Sequence, residues 1–275
     1  MGPLISVVIP VYNEALRITA SLERVIAYLR PRYPFEILVV DDGSLDETPV
    51  VVKAYAKRHP EIRITRWPHN RGKGAAVRAG MLSASGALVC FIDADLAIPI
   101  EELEQAMPLL RDGCEVVIAS RTMPGSRIAG RKDWRRRATS EVFNQMVRAL
   151  FRVRFRDTQC GFKCFRREAA VEIFSRTTVD GFAFDVEVLI VADVLGYTIR
   201  EIPVRLEGAG PSSVRLTTHS YDICKELWRI ARNLRRTVYQ SASLSEDAGV
   251  KVRLASGEPL SLLGSSTPDH VNTHD

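Results

Sequence analysis

Short runs of apolar, mostly β-branched residues alternate with segments of helical spacing along the first 120 residues of the chain. A run of about four to eight apolar residues indicates a strand, whereas apolar residues three and four positions apart indicate a helix. The predicted strands are residues 5–10, 36–40, 62–67, 88–92 and 115–119, and the predicted helices between them are residues 16–29, 46–58, 74–83 and 101–110. We expect Asp46 to cap the second helix. This alternation predicts an α/β fold with a mostly parallel central sheet and helices on both faces.

The pattern changes after residue 120. A basic stretch leads into a predicted helix through Val142, Met146 and Leu150. Further predicted elements are helices over 169–174 and 186–195, a strand over 198–204, and a long amphipathic helix over 219–239 in which Ile223, Leu227, Ile230 and Leu234 share one face. The last 36 residues contain Ser, Gly and Pro without periodicity, which is typical of disorder. We therefore predict one domain over residues 1–239, including the 219–239 helix, and a disordered tail over 240–275.

Composition supports one large soluble domain. The chain has 275 residues, of which 46% are hydrophobic and 26% are charged. No apolar stretch approaches the roughly 20 residues that span a bilayer, and we expect no signal peptide at the N-terminus. Five cysteines, an odd number without regular spacing, indicate reduced thiols in a cytoplasmic protein rather than disulfides or a zinc site.

Basic residues are concentrated in the second half of the chain. Residues 121–239 contain 23 Lys and Arg against 13 Asp and Glu. Such a segment is expected to face an anionic partner, such as lipid headgroups or a phosphorylated acceptor. We do not expect nucleic acid as a partner, because no nucleic-acid-binding motif accompanies the charge.

Three predicted strands end in acidic or polar residues. The ends are Pro10-Val11-Tyr12-Asn13-Glu14, Asp41-Asp42-Gly43-Ser44 and Asp93-Ala94-Asp95. Ligands of such sheets bind beyond the carboxyl ends of the strands, where paired carboxylates suit Mg²⁺ or Mn²⁺ together with a diphosphate. The three ends together predict a nucleotide-sugar site in which Asp93 and Asp95 are the metal ligands. Each also has a structural alternative: Asn13 as a helix cap, Asp42-Gly43 as a turn, and the acidic pair as a loop cap.

Three further motifs make the pattern specific. They are Arg71-Gly72-Lys73-Gly74, Asp157-Thr158-Gln159-Cys160-Gly161-Phe162-Lys163 and Gly181-Phe182-Ala183-Phe184-Asp185-Val186-Glu187. With them, residues 4–236 resemble the family 2 glycosyltransferases of the GT-A fold, a Rossmann-like architecture. The last two motifs are most similar to those of the dolichyl- or polyprenyl-phosphate glucosyltransferases.

The resemblance implies an inverting, metal-dependent transfer of a hexose, with glucose from UDP-glucose as the expected donor, onto polyprenyl or dolichyl phosphate. It also implies a peripheral location at the cytosolic face of a membrane. The donor-binding residues that it implies are Pro10, Tyr12, Asn13, Glu14, Asp42, Lys73, Asp93, Ala94 and Arg121. The acceptor-binding residues are Arg127, Arg135, Arg136 and Gln159, and the residues with catalytic roles are Asp95, Asp157 and Asp185.

Two departures from the family pattern keep other functions open. Ala97 stands where some relatives have Gln, and Ser213 stands where many relatives have a cation near the donor phosphates. One alternative is a GT-A enzyme that acts on a soluble or glycan hydroxyl, for which Asp157 or Asp185 would have to be a general base. Another is a non-catalytic module that binds nucleotide sugars or a membrane.

The 219–239 helix has two interpretations. Trp228 and the basic residues Lys225, Arg229, Arg232, Arg235 and Arg236 suit a helix that lies on an anionic leaflet. The alternative is a helix that packs on the sheet with its charges in water.

Overall fold

A seven-stranded sheet forms the centre of the protein. The computed structural model describes residues 4–129, 134–207 and 216–240, without the side chains of 134–140 and 216–221. The strands are β1 (Ile5–Val11), β2 (Phe35–Asp41), β3 (Ile62–Arg66), β4 (Leu88–Ile92), β5 (Val116–Ser120), β6 (Arg127–Ile128), β7 (Phe162–Arg166), β8 (Ile199–Pro203) and β9 (Arg205–Leu206). The central sheet has the order β3-β2-β1-β4-β7-β5-β8, and the short strands β6 and β9 pair separately.

Helices cover both faces of this sheet. They are α1 (Ile18–Leu29), α2 (Thr48–Ala56), α3 (Lys73–Ser83), α4 (Leu103–Arg111), α5 (Trp134–Phe151), α6 (Arg167–Phe174), α7 (Phe184–Val194) and α8 (Leu216–Arg235), with 3₁₀ turns at Ile100–Glu102 and Val238–Gln240. One core cluster joins α1, α2 and α4 to the sheet, and the other joins α3, α6, α7 and α8. Strand β1 is buried along its whole length because both faces are covered, which explains why it is apolar at every position except Ser6.

Strand β7 is absent from the elements predicted from the sequence. It runs antiparallel between β4 and β5, so that Lys163 lies opposite Phe91 on one side and Ile118 on the other. The Lys163 side chain is fully buried. A lysine within a short apolar run contradicts the pattern of a central strand. For this reason β7 was not predicted from the sequence. The remaining strands of the central sheet are predicted correctly, and β1, β2, β3 and β4 are parallel to one another.

Two helix starts differ from the sequence prediction. Helix α1 begins at Ile18, and Leu16, which was expected on its apolar face, is 100% exposed. Helix α2 begins at Thr48, whose backbone N–H donates to Asp46 Oδ1 at 2.9 Å. The N-cap position of α2 is Glu47, and its side chain makes no capping hydrogen bond, so the predicted cap at Asp46 is one residue off. Asp46 still satisfies the free N–H of Thr48, the first residue of the helix.

The two long helices differ in how their apolar positions are used. In α8, Ile223, Leu227 and Ile230 are buried, as the periodicity predicted. In α5, Val142, Met146 and Leu150 are exposed, although the helix itself was predicted correctly. Among the described residues, no helix has both the length and the apolar character needed to cross a bilayer. The predicted tail from residue 241 onward lies outside the described residues.

Candidate active site

The loops that follow β1 and β2 are held together by hydrogen bonds. The backbone N–H of Asn13 donates to Ser44 Oγ at 2.9 Å, and that of Glu14 donates to Thr48 Oγ1 at 2.8 Å. In return, Asn13 Oδ1 accepts the N–H of Leu45 at 2.8 Å. Asn13 has a φ of 56°, a left-handed conformation that Asn tolerates better than most residues. Asn13 therefore links two strand ends, and the alternative that it caps α1 is wrong, because no side chain caps that helix.

The other residues of the β1 end remain near this junction. Pro10 is buried within β1, opposite Val40 of β2. The ring of Tyr12 is exposed. Glu14 accepts two hydrogen bonds from the Arg17 guanidinium, at 2.9 and 3.1 Å, and burial raises the pKa of its carboxyl. Contact of these side chains with a nucleobase or ribose stays a prediction.

Asp42 closes the glycine-containing loop over the end of β2. Its two carboxylate oxygens accept the backbone N–H groups of Arg71, at 2.6 Å, and Gly72, at 3.0 Å. Burial raises the pKa of this carboxyl even though both hydrogen bonds favour the charged form. In this arrangement Asp42 shapes the 71–74 loop, and its predicted contact with a base is not tested.

Gly72 and Lys73 connect this loop to the acidic pair. Gly72 has a φ of 105°, and a Cβ at this position would overlap with the backbone carbonyl of Asp180. The guanidinium of Arg71 lies over the ring of Trp67, with Cζ at 4.6 Å from the centroid. Lys73 points the other way, and its Nζ lies 2.6 Å from Asp93 Oδ1. The loop thus directs one of its two cations to the end of β4.

Asp93 and Asp95 lie at the carboxyl end of β4, where the sequence predicted a metal site. The backbone of Asp93 donates to the Gly161 carbonyl at 3.1 Å, and a Cβ at Gly161 would overlap with the Asp93 carboxylate. Asp95 Oδ1 accepts the N–H of Ala97 at 3.1 Å. Between the two acids, the buried Ala94 accepts the hydroxyl of Ser21 through its carbonyl at 2.5 Å. A side chain at residue 161 would therefore displace the Asp93 carboxylate.

The donor set of this pair fits a divalent ion bound together with a diphosphate. The described residues contain no group of three or more His, Cys, Asp or Glu arranged to hold a metal. Two carboxylates alone leave most positions of a Mg²⁺ or Mn²⁺ ion open, and such ions typically complete their shell with substrate phosphates and water. Burial by itself lowers the pKa of Lys73, but the carboxylates of Asp93 and Asp185 outweigh it and raise the pKa. A charged ammonium thus lies beside the acids.

Arg121 and Asp157 form a buried pair just beyond β5. Asp157 is fully buried and accepts Arg121 Nε at 2.7 Å, Nη2 at 2.9 Å and the backbone N–H at 3.0 Å. Burial opposes ionisation, but the bonds from Arg121 lower the pKa of Asp157 below its ordinary value. A carboxylate in this state holds a guanidinium in place and is a poor proton acceptor.

Lys163 and Asp185 form a second buried pair under the acidic residues. Lys163 Nζ contacts Asp185 Oδ1 and donates to the carbonyl of Cys160 at 2.8 Å. Burial raises the pKa of Asp185, and the ammonium groups of Lys163 and Lys73 act in the opposite direction. Lys163 was not among the predicted functional residues, although its place at the end of the 157–163 motif was a signal.

Two other buried side chains near the site were also missed. Asn144 Oδ1 accepts the backbone N–H and the hydroxyl of Thr158, at 3.3 and 3.1 Å, and so fixes the 157–159 segment to α5. Glu187 accepts the N–H groups of Thr178 and Val179, at 2.9 and 2.8 Å, and the hydroxyl of Tyr239 at 2.8 Å. These contacts join positions far apart in the chain, which periodicity does not reveal.

Of the predicted acceptor residues, the structure describes the side chains of Arg127 and Gln159. Arg127 is exposed on β6 and lines a cavity of about 270 Å³ with acidic neighbours that include Glu101 and Glu102. Gln159 is half-buried. The side chains of Arg135 and Arg136 on α5 lie outside the described residues, as does Ser213. The acceptor roles of all of these arginines stay predictions.

The chain is similar to known proteins along most of its length. The model of the family described as "Glycosyl transferase family 2" matches residues 6–174. A dolichyl-phosphate beta-glucosyltransferase of Trichomonas vaginalis is 36% identical over 222 residues, which are 76% of this chain and 66% of that protein. The chain thus spans just under two thirds of that relative. A dolichyl-phosphate beta-glucosyltransferase of Dictyostelium discoideum is 31% identical over 82% of this chain and 73% of its own length.

Solved structures support the fold. Glucosyl-3-phosphoglycerate synthase from Mycobacterium tuberculosis, in complex with Mn²⁺, UDP-glucose and phosphoglyceric acid, superposes with a TM-score of 0.63 at 23% identity, covering 84% of this chain and 80% of that one. This superposition confirms the predicted GT-A fold. Because the family model matches more than half of the chain, and a relative above 30% identity is covered for more than two thirds of its length, the chain belongs to glycosyl transferase family 2.

Proposed function

We propose that this protein is an inverting, metal-dependent glucosyltransferase that moves glucose from UDP-glucose onto a polyprenyl phosphate of the dolichyl class. The names of the relatives, which are dolichyl-phosphate beta-glucosyltransferases, support the acceptor and the sugar. The complex of the mycobacterial synthase with Mn²⁺ and UDP-glucose supports the donor. The observation that carries the proposal is the pairing of both candidate bases, Asp157 and Asp185, with buried or half-buried cations.

The donor half of the site is built to stabilise a leaving diphosphate. Asp93 and Asp95 would hold the divalent ion, which neutralises the charge that develops on the nucleoside diphosphate. Lys73 Nζ lies 2.6 Å from Asp93 Oδ1. Burial opposes the charge of Arg121, but Asp157 and, to a smaller extent, Asp93 raise the pKa of its guanidinium. Both cations therefore lie where diphosphate oxygens would approach the acidic pair.

The acceptor half of the site favours a phosphate over a hydroxyl. A hydroxyl nucleophile needs a general base within hydrogen-bond reach. Both carboxylate oxygens of Asp157 accept hydrogen bonds from Arg121, and Oδ1 of Asp185 is paired with the buried Lys163. A phosphomonoester has a second pKa of about 6, so its oxygen is already nucleophilic near neutral pH. Positioning and charge neutralisation are then sufficient for the reaction.

The reaction forms one bond and breaks one. An oxygen of the acceptor phosphate bonds to the anomeric carbon of glucose while the bond from that carbon to the UDP oxygen breaks, and UDP leaves with the electron pair. Attack from the face opposite the diphosphate inverts the α-linked donor to a β-linked lipid phosphate sugar. Since the acceptor is carried in a bilayer, we also propose that the protein works as a peripheral protein at the cytosolic membrane face.

A transfer assay tests this proposal. The full chain is incubated with UDP-glucose labelled in the sugar, Mn²⁺ or Mg²⁺, and dolichyl phosphate in detergent, and the products are extracted into chloroform. We expect label in a mild-acid-labile product of the organic phase, and less label when GDP-mannose replaces UDP-glucose. Label that enters only a water-soluble glycan would favour the hydroxyl acceptor. Absence of transfer with every acceptor would favour the non-catalytic alternative.

A further inference from the structure

Helix α5 has a buried side and, next to it, an exposed apolar row. On the inner face, Asn144 and Val147 are buried. On the outer face, Val142, Met146 and Leu150 are 66%, 37% and 59% exposed. Their spacing of four residues aligns them on one side of the helix, since residues four apart are neighbours on a helical surface. An aligned row of large apolar side chains in water is typical of a surface that another body covers. We refer to these three residues as the outer stripe.

The inner face of the same helix carries the acceptor side of the site. Asn144 holds Thr158 by two hydrogen bonds, and Thr158 follows Asp157, the partner of Arg121. A helix with its side chains is about 10–12 Å across. The outer stripe is therefore within about one helix diameter of the segment that would orient the acceptor phosphate.

The described residues around the outer stripe carry a net positive charge. Residues 141–156 contain four Arg against one acidic residue. Arg152, Arg154 and Arg156 are exposed directly after the helix, and Arg148 pairs with Glu141 at 2.9 Å. An apolar row bordered by arginines is complementary to an anionic lipid surface, which accepts apolar side chains below its negatively charged headgroups.

We propose that the outer stripe docks this protein on an anionic lipid bilayer and holds the acceptor site at the depth of the headgroups. Interfacial helices sink about 5–10 Å into the boundary between headgroups and acyl chains, a depth of the same order as the width of a helix. The proposal rests on the proposed function, in which the acceptor is a lipid phosphate.

One interpretation of the sequence placed a membrane contact on the 219–239 helix, whereas the proposed docking surface lies on α5. The apolar face of α8 is buried in the core, and Trp228, which is 63% exposed with Arg232 over its ring at 5.1 Å, is the large apolar residue that its described part presents to water. A second copy of the chain is a poorer occupant of the outer stripe. Three side chains provide far less than the roughly 800 Å² per partner of a stable interface.

Vesicle flotation of the full chain tests the docking surface. The vesicles contain phosphatidylcholine alone or a mixture with phosphatidylglycerol, and the test variant is Val142→Gln/Met146→Gln/Leu150→Gln. We expect the wild-type protein to float with the anionic vesicles in a salt-dependent manner, and the triple variant to lose about tenfold or more in partitioning. Val50→Gln is the matched control. Val50 is also 59% exposed, but its helix, α2, packs on the other face of the sheet.

Other outcomes would overturn the docking proposal. They are unchanged flotation of the triple variant, loss of flotation in Trp228→Gln alone, and a wild-type dimer in light scattering that the triple variant converts to a monomer. Circular dichroism and thermal unfolding establish whether the variants are folded. We expect them to be folded because the substituted side chains are exposed.

A second measurement separates this proposal from the proposed function. With a short, water-soluble polyprenyl phosphate, the triple variant is expected to transfer glucose at the wild-type rate, and with acceptor embedded in vesicles it is expected to be at least tenfold slower. Equal rates with both acceptors would contradict the docking role. If the wild type transfers to neither acceptor, the proposed function fails, while the flotation result still decides whether the outer stripe binds membranes.

Discussion

Replacement of Asp157 by Asn distinguishes a residue that positions Arg121 from a general base. The side chain is fully buried and accepts three hydrogen bonds from Arg121, of 2.7, 2.9 and 3.0 Å. Asn has the same shape but no charge, and it offers one acceptor oxygen instead of two. Breaking a buried ion pair costs about 3–5 kcal/mol, and we expect the lower end, about 3 kcal/mol, because the Arg121 side chain keeps 30% exposure to water.

The pH dependence of stability follows from the pKa of Asp157. Arg121 lowers the pKa of this carboxyl in the folded state, despite the opposing effect of burial. The unfolded state therefore binds more protons as the pH falls, and the stability contributed by the pair is present above the ordinary pKa of 3.8 and is lost below it. In urea unfolding followed by circular dichroism, the difference between wild type and Asp157→Asn should be full at pH 7 and shrink as the pH falls through about 4.

Activity provides the second half of this test. In Asp157→Asn, Arg121 is no longer fixed, so we expect kcat/KM for the phosphate acceptor to fall by about 100-fold. The acidic limb of the pH profile should keep its position, because no base has been removed. Asp112→Asn, at an exposed position after α4, is the matched control and should resemble wild type. Unchanged stability together with loss of the acidic limb would refute the positioning role and identify Asp157 as a base.

Three further predictions concern the residues around the acidic pair. Gly161→Ala places a methyl group against the Asp93 carboxylate, so we expect a raised concentration of Mn²⁺ for half-maximal activity, and unchanged metal activation would contradict this. Lys163→Met leaves Asp185 buried without its ion-pair partner and should cost about 3–5 kcal/mol in urea unfolding. The double variant Lys163→Met/Asp185→Leu should recover most of this loss. If the single and double variants are equally stable, the two residues are not coupled. Asp95→Ala should abolish transfer without a change in circular dichroism, and Mn²⁺ added after chelation should restore only the wild type.

The central part of the fold was predictable because burial on both faces leaves a simple signature. Strands β1, β2 and β4 are apolar apart from Ser6, Glu36 and Asp41, and the helices between them repeat at helical spacing. Strand β7 was not predictable on this basis, since its buried Lys163 is tolerated only through Asp185, 22 residues further along the chain. Periodicity also identified α5 but not which side of it faces the core.

The candidate site was predictable to a similar extent. The topology of a parallel sheet brings the ends of β1, β2 and β4 to one edge, so Asn13, Asp42 and Asp93 were expected there. Their partners were not foreseeable, because hydrogen bonds such as the one from Leu45 to Asn13 depend on how two loops pack. The same holds for Arg121 and Asp157, which are 36 residues apart and were predicted separately, Arg121 as a donor-binding residue and Asp157 as a catalytic one.

We propose that a divalent ion bound by Asp93 and Asp95 holds the diphosphate of the donor at the end of β4. Crystals of the full chain grown with UDP and Mn²⁺, measured at the manganese absorption edge, test this proposal. We expect one anomalous peak at about 2.0–2.4 Å from a carboxylate oxygen of Asp95, next to the phosphates of UDP. A peak elsewhere in the molecule, or UDP bound at the sheet edge without manganese between it and the two acids, would contradict it.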